Sequence, residues 1–174
     1  MKKVLMAFVC LAYLCPLGVA QADLEANEKT FFTELKKVIP QDRFVSVDDL
    51  HKKWLEVQEG KSKAIIIDIR TKEEFDNGHI KGSSNVDSGH AYTVPKKITD
   101  PNQEIWVFCR TQHRATYFVS MLHNYGYKNA YLVEGGVVGW IEKGYPLVNE
   151  YLGEIKVTNY SKQLKEEYVY REGH

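Results

Sequence analysis

"WVFCRTQHRAT", residues 106–116, runs from an apolar segment straight into a cysteine, then into two arginines and a histidine. Its apolar half, taken from Glu104 as "EIWVFC", is continuous rather than alternating, which suits a strand covered on both faces in a parallel sheet. Its polar half leads to Ala115, Phe118, Val119 and Leu122, spaced as one face of a helix. Cys109 therefore falls where a buried strand hands over to a helix.

The same pattern recurs on either side. "KAIIIDIR" (63–70) is a second β-branched run and "NAYLVEGG" (129–136) a shorter third; Phe44 and Val45 supply a short strand. Ser46 followed by Asp49 is a helix-start signature, with Val47, Leu50 and Trp54 on one face behind it and Gly60 to close. "KEEF" and "VVGWIEKG" add helical segments. Strands alternating with helices predict an α/β fold: a central parallel sheet of about five strands with helices on both faces. Open sheets of this kind bind ligands at the carboxyl ends of their strands, and Cys109 sits at one.

The chain has 174 residues, 44% apolar and 26% charged, enough for one domain with a substantial core. Lys2 and Lys3, the apolar stretch "VLMAFVCLAYLCPLGV" and the small residues around Ala20–Ala22 form the three parts of an export signal. We expect residues 1–22 to be a signal peptide and the mature protein to be periplasmic, with no stable membrane anchor after cleavage. Removing them deletes Lys2, Lys3, Cys10 and Cys15 and leaves 21 basic against 23 acidic residues, a formal charge of −2, and one cysteine, Cys109. Near-neutrality argues against a nucleic-acid partner or a polybasic membrane surface. A lone thiol rules out a disulfide framework within the mature chain, leaving Cys109 either as an inert core residue or as a reactive group.

Leu24, Phe31, Leu35 and Val38 predict a helix over 23–39, ended by Pro40. Tyr160, Leu164 and Tyr168 predict a polar helix within 151–174. The expected organisation is a signal peptide (1–22), an N-terminal helical extension (23–43), one α/β domain (44–147) and a C-terminal extension (148–174).

The loop "CRTQHR" lies at a helix N-terminus, where N–H groups lack intrahelical partners and the dipole favours anions. Arg110, Arg114 and a protonated His113 add positive charge. Such settings stabilise a thiolate, so Cys109 is the candidate nucleophile and Arg110 a grip for an anionic substrate.

These segments together resemble the single-domain rhodaneses, a family of sulfurtransferases. "IIIDIRTKEEFDNGHIKGSSNV" (65–86) is similar to the family's Asp-x-Arg, Glu-Phe and Gly-His-Ile-x-Gly segment, "WVFCRTQHRA" to its cysteine loop, and "GYKNAYLVEGGVVGWIEKGYPL" (126–147) to its closing pattern. The resemblance covers roughly residues 44–147 and implies a rhodanese-like sheet. It implies a Cys109 persulfide that takes sulfur from an anionic donor such as thiosulfate and passes it to a thiol or cyanide. It further implies a cradle running through Arg110, Thr111, Gln112, His113, Arg114 and Ala115, and no cofactor.

Arg114 is expected to tie the loop to the fold or tune its charge, Asp68 and Arg70 to support the site from behind or serve the fold, and Trp140, His79 and Glu134–Gly136 to serve packing or turns. No zinc-ligand set or phosphate-binding glycine loop is visible. Only four residues separate Cys109 from Arg114, a shorter ring than the five of related phosphatases, which favours sulfur over phosphate. One departure stands out: many active rhodaneses carry glycine where this chain has Gln112. If that position needs positive φ, glutamine is strained by about 1 kcal/mol. On that basis the alternative is a catalytically weak binding or sulfur-carrier module docking to a partner protein through its terminal helices.

Overall fold

The apolar runs become neighbouring parallel strands. The computed structural model describes residues 17–157. Helix α1 (Leu17–Val38) precedes a 3-10 turn, then β1 (Phe44–Val45), α2 (Val47–Gln58), β2 (Ile65–Asp68), α3 (Lys72–Asn77) and β3 (Ser84–Asn85). A 3-10 segment (Ser88–Thr93) leads into the short α4 (Val94–Lys97). Next come β4 (Ile105–Phe108), α5 (His113–Asn124), β5 (Ala130–Val133), α6 (Gly136–Glu142), β6 (Leu147–Asn149) and β7 (Gly153–Ile155).

Five strands form one parallel sheet in the order β1-β5-β4-β2-β3. The continuous apolar runs are explained by cover on both faces. Ile105, Val107 and Cys109 face a cluster with Ile67, Ile69, Phe118, Val119 and Leu122. Trp106 and Phe108 face the opposite way, toward Leu50, Ile66, Val137 and Trp140. One layer is thus built on α5, the other on α2 and α6, as the expected α/β architecture requires.

Side-chain caps start two of the helices. Ser46 opens α2 in a reciprocal capping box with Asp49, and Thr71 opens α3 in the same way with Glu74. Gly60, at φ +70°, takes the left-handed turn just past α2.

Register decides which loops meet. Ile65 pairs with Ile105 and Asp68 with Phe108, so β2 and β4 finish in step, and the Ile69 N–H donates to the Phe108 carbonyl at 3.0 Å. β5 flanks β4 on the other side. The segments after β2, β4 and β5 are therefore brought to one edge.

The terminal extensions differ from their predicted form. The N-terminal helix begins earlier than expected, at Leu17. Where the C-terminal polar helix was to start, β6 and β7 form an antiparallel hairpin that pairs Leu147 with Ile155 and turns at Gly153, φ +70°. Ile155 and Val157 pack onto the α2/α6 layer, which the polar-helix pattern, drawn from residues beyond 157, did not foresee. The expected residues Tyr160, Leu164 and Tyr168 lie outside the described residues. The short β3, α4 and their connecting 3-10 segment carry too few residues for a periodic signal.

Leu50 is fully buried between α2 and the sheet. Leu50→Ala is expected to lower unfolding stability by about 2–5 kcal/mol, measured by urea denaturation.

Candidate active site

Cys109 continues the alternation of β4 and is 1% exposed, on the α5 side of the sheet. After it, residues 110–112 cross to α5. The first backbone bond of that helix runs from the Thr116 N–H to the Gln112 carbonyl (3.0 Å), so the N–H groups of His113, Arg114 and Ala115 have no intrahelical acceptor. They and the helix dipole gather positive potential beside the thiol.

The carbonyls of the loop are claimed from another direction. The N–H groups of Val137 and Val138, at the start of α6, donate to the carbonyls of Cys109 (2.9 Å) and Arg110 (3.0 Å). Because C=O and N–H point oppositely across a trans peptide, the N–H groups of Arg110 and Thr111 are turned away from α6. This approach is close. A Cβ on Gly136 would stand 2.4 Å from the Cys109 carbonyl and 2.8 Å from those of Arg110 and Thr111, and Gly136 has φ +54°. Expected only to shape helix packing, the Glu134–Gly136 turn is thus built against the cysteine loop.

Three consecutive loop side chains reach three different elements. Gln112 donates through Nε2 to Glu134 Oε1 (3.2 Å). His113 stacks on Phe32 of α1, ring centroids 4.2 Å apart and planes 10° apart, with Nε2 3.4 Å from Glu28 Oε1. Arg114 donates Nη1 to Glu74 Oε2 (2.7 Å) and Nη2 to Glu74 Oε1 (2.9 Å), a bidentate pair. Arg114 thus ties the loop to α3, while the His113 ring lies against α1.

Gln112 has φ −168° and ψ −31°, and no non-glycine residue in the described chain has positive φ. The left-handed strain anticipated for glutamine at this position does not arise.

The charges around the loop are coupled. Burial opposes ionisation of Glu74, but the Arg114 hydrogen bonds and charge, helped by the Thr71 N–H, hold its carboxyl below the ordinary glutamate range. Arg114 is held above its ordinary value first by the Glu74 hydrogen bonds, against burial, then by the charge of Glu74 and by the neighbouring Cys109.

Asp68 and Arg70 are 0% and 6% exposed, and Arg70 Nε and Nη2 both donate to the Asp68 carboxylate. Arg70 Nη2 also donates to the Gly78 carbonyl (2.7 Å), joining the end of β2 to the end of α3. These bonds link β2 to the C-terminal end of the helix that carries Glu74. Ala115 is fully buried beneath the loop. Arg110 and Thr111 border a depression of about 190 Å³ with Gly135, Val138, Gly139 and Glu142. Trp140 is core, and its indole N–H donates to the Pro146 carbonyl; His79 stacks on Phe75 and pairs with Val148 in an isolated bridge.

Glu74, Gly136, Glu134, Glu28 and Phe32 were not expected at the site. The Thr71–Glu74 capping box was readable, but not the contact with Arg114 forty residues on.

By its sequence, this chain belongs to the rhodanese-like domain family, whose model matches residues 51–143. It is 33% identical over 79 residues to thiosulfate sulfurtransferase GlpE of Stutzerimonas stutzeri (strain A1501), a match covering 44% of this chain and 70% of that protein. Thiosulfate sulfurtransferase 18 of Arabidopsis thaliana is 26% identical over 122 residues, covering 63% of this chain and 87% of that protein. Among solved structures, the rhodanese-like domain of an Anabaena sp. protein superposes with a TM-score of 0.55 at 15% identity. That match covers 76% of this chain and 98% of the Anabaena domain, and establishes a shared fold. Helix α1 and the β1 region precede the family match.

Two outcomes follow from this geometry. Gly136→Ala should lower stability by about 1–3 kcal/mol through overpacking, read by chemical denaturation. Because the folded state holds the Glu74 carboxyl below its unfolded value, the stabilisation is present above the ordinary glutamate range and lost as pH falls through it toward the folded value. Glu74→Gln should therefore be less stable than wild type at neutral pH, with the gap closing on acidification in parallel thermal melts.

Proposed function

We propose that this protein is a sulfurtransferase that moves a sulfane sulfur from an anionic donor of the thiosulfate type to a thiol or cyanide through a Cys109 persulfide. The observation that carries the reading is the peptide orientation at Cys109: loop carbonyls bound outward by α6 and N–H groups of the α5 start left for an anion.

The Cys109 thiolate attacks the outer sulfur of the donor. The donor's S–S bond breaks, sulfite leaves with its electron pair, and the outer sulfur remains on Cys109 as a persulfide. The loop N–H groups stabilise the charge on that sulfur, and Arg110 orients the donor anion. The acceptor then attacks the outer sulfur; the Cys109–sulfur bond breaks, thiocyanate or a new persulfide departs, and the thiolate returns. Arg114, fixed by Glu74, balances the charge of the thiolate in both halves of the cycle.

Support also comes from the sulfurtransferase names of the relatives. Gln112 does not take the positive φ on which the reading of a catalytically weak carrier rested. The same proposal places the mature protein in the periplasm, where it would meet its donor and a thiol-bearing partner.

Incubation with thiosulfate should add the mass of one sulfur atom to the protein, lost again on adding cyanide as thiocyanate appears. Cys109→Ser should abolish both in intact-mass and colorimetric assays; sulfur transfer by that variant would reject the mechanism.

A further inference from the structure

We propose that α1 is a positioning element of the cysteine loop, acting on His113 through Phe32 and Glu28. This extends the sulfurtransferase reading, on which it rests for what the loop does.

The argument starts from how α5 begins. Ser46 and Thr71 cap α2 and α3 with their own side chains, but Gln112 makes no such bond at the start of α5. The N–H groups that face the transferred sulfur are therefore not fixed by a local cap. They are fixed from outside: Gln112 by Glu134 and Arg114 by Glu74, on opposite sides of His113 in sequence. The residue between them is held by α1.

That contact is built from matching turns on two helices. Glu28 and Phe32 lie one turn apart on α1, as do His113 and Tyr117 on α5. Phe32 stacks on His113 and lies 5.7 Å from the Tyr117 ring, while the Tyr117 hydroxyl donates to Glu28 Oε1 at 3.0 Å and His113 Nε2 approaches the same oxygen. Further along, Ser120 Oγ lies 3.3 Å from the Leu35 carbonyl, so the two helices run together past the first turn.

His113 is 58% exposed and Phe32 half-buried, so the stack sits outside the packed core. Its evident effect is on the direction in which the first turn of α5 leaves the loop. A rhodanese-like domain without α1 would lack this third hold. Small misplacements at a reacting centre are costly: about 1 Å can slow a reaction by ~10²-fold.

The full chain carrying Phe32→Ala, compared with wild type and Phe32→Tyr, tests the assignment. Two readouts apply: amide hydrogen exchange of the 110–116 segment, and the single-turnover rate of sulfur loading from thiosulfate. In Phe32→Ala, exchange should quicken in 110–116 but not in β4, and loading should slow by roughly tenfold or more. Phe32→Tyr, which keeps the stack, should restore both. Unchanged exchange, unchanged loading beside quickened exchange, or failure of the tyrosine to rescue would each overturn the proposal. If Phe32→Ala does not fold, Glu28→Gln should show the same direction of change, and no change would overturn it. Should wild type itself fail to take up sulfur, the sulfurtransferase reading falls, and the exchange contrast alone decides whether α1 holds the loop.

Discussion

The site depends on a single close approach, the N-terminus of α6 against the backbone of the cysteine loop. Two α6 N–H groups bind the carbonyls of Cys109 and Arg110, and only a glycine at position 136 leaves room for them to do so. This fixes the peptide planes that follow the thiol. Once the carbonyls are committed outward, the N–H groups are available on the other side, where an anionic sulfur can use them. A side chain at position 136 would push the loop away from α6 and scatter that alignment.

Around this backbone contact the side chains act as stays. Gln112, His113 and Arg114 leave the loop toward β5, α1 and α3. The Arg114–Glu74 pair is the strongest of these, since both groups are charged, partly buried and joined bidentately. It also closes a chain of interactions that begins at the buried Asp68–Arg70 pair, passes through Gly78 and the Thr71 cap, and ends at Arg114 in the cysteine loop. The position of that loop thus depends on β2 and α3 as well as on its own backbone.

The sheet supplies the stage for this. Phe108 and Cys109 emerge from the central strand, buried on both faces, so the thiol enters the loop from a rigid element. The additions at either end are used differently: the β6–β7 hairpin extends the α2/α6 core, whereas α1 packs along α5 beside the site.

Much of this was legible in the order of residues. The apolar runs at 63–70, 104–109 and 129–136 suited strands covered on both sides, and their alternation with helical spacing pointed to an α/β sheet. Cys109 at a strand end before a helix identified the loop, and Ser46 marked a helix start. Periodicity carries no information about strand order, register or contacts between distant segments, because it reports only which face of one element is apolar. Hence Glu74 beside Arg114, Gly136 beneath the cysteine, and Phe32 against His113 emerged only when β2, β4 and β5 lay side by side. The φ of Gln112, −168° rather than positive, is likewise a property of the folded loop: which residue may stand there depends on backbone angles that neighbouring elements impose. The amino-acid sequence by itself determined the layers and the place of Cys109 at a strand end; tertiary structure decided which groups hold its loop in place, since hydrogen bonds between segments forty residues apart exist only after the sheet has aligned them.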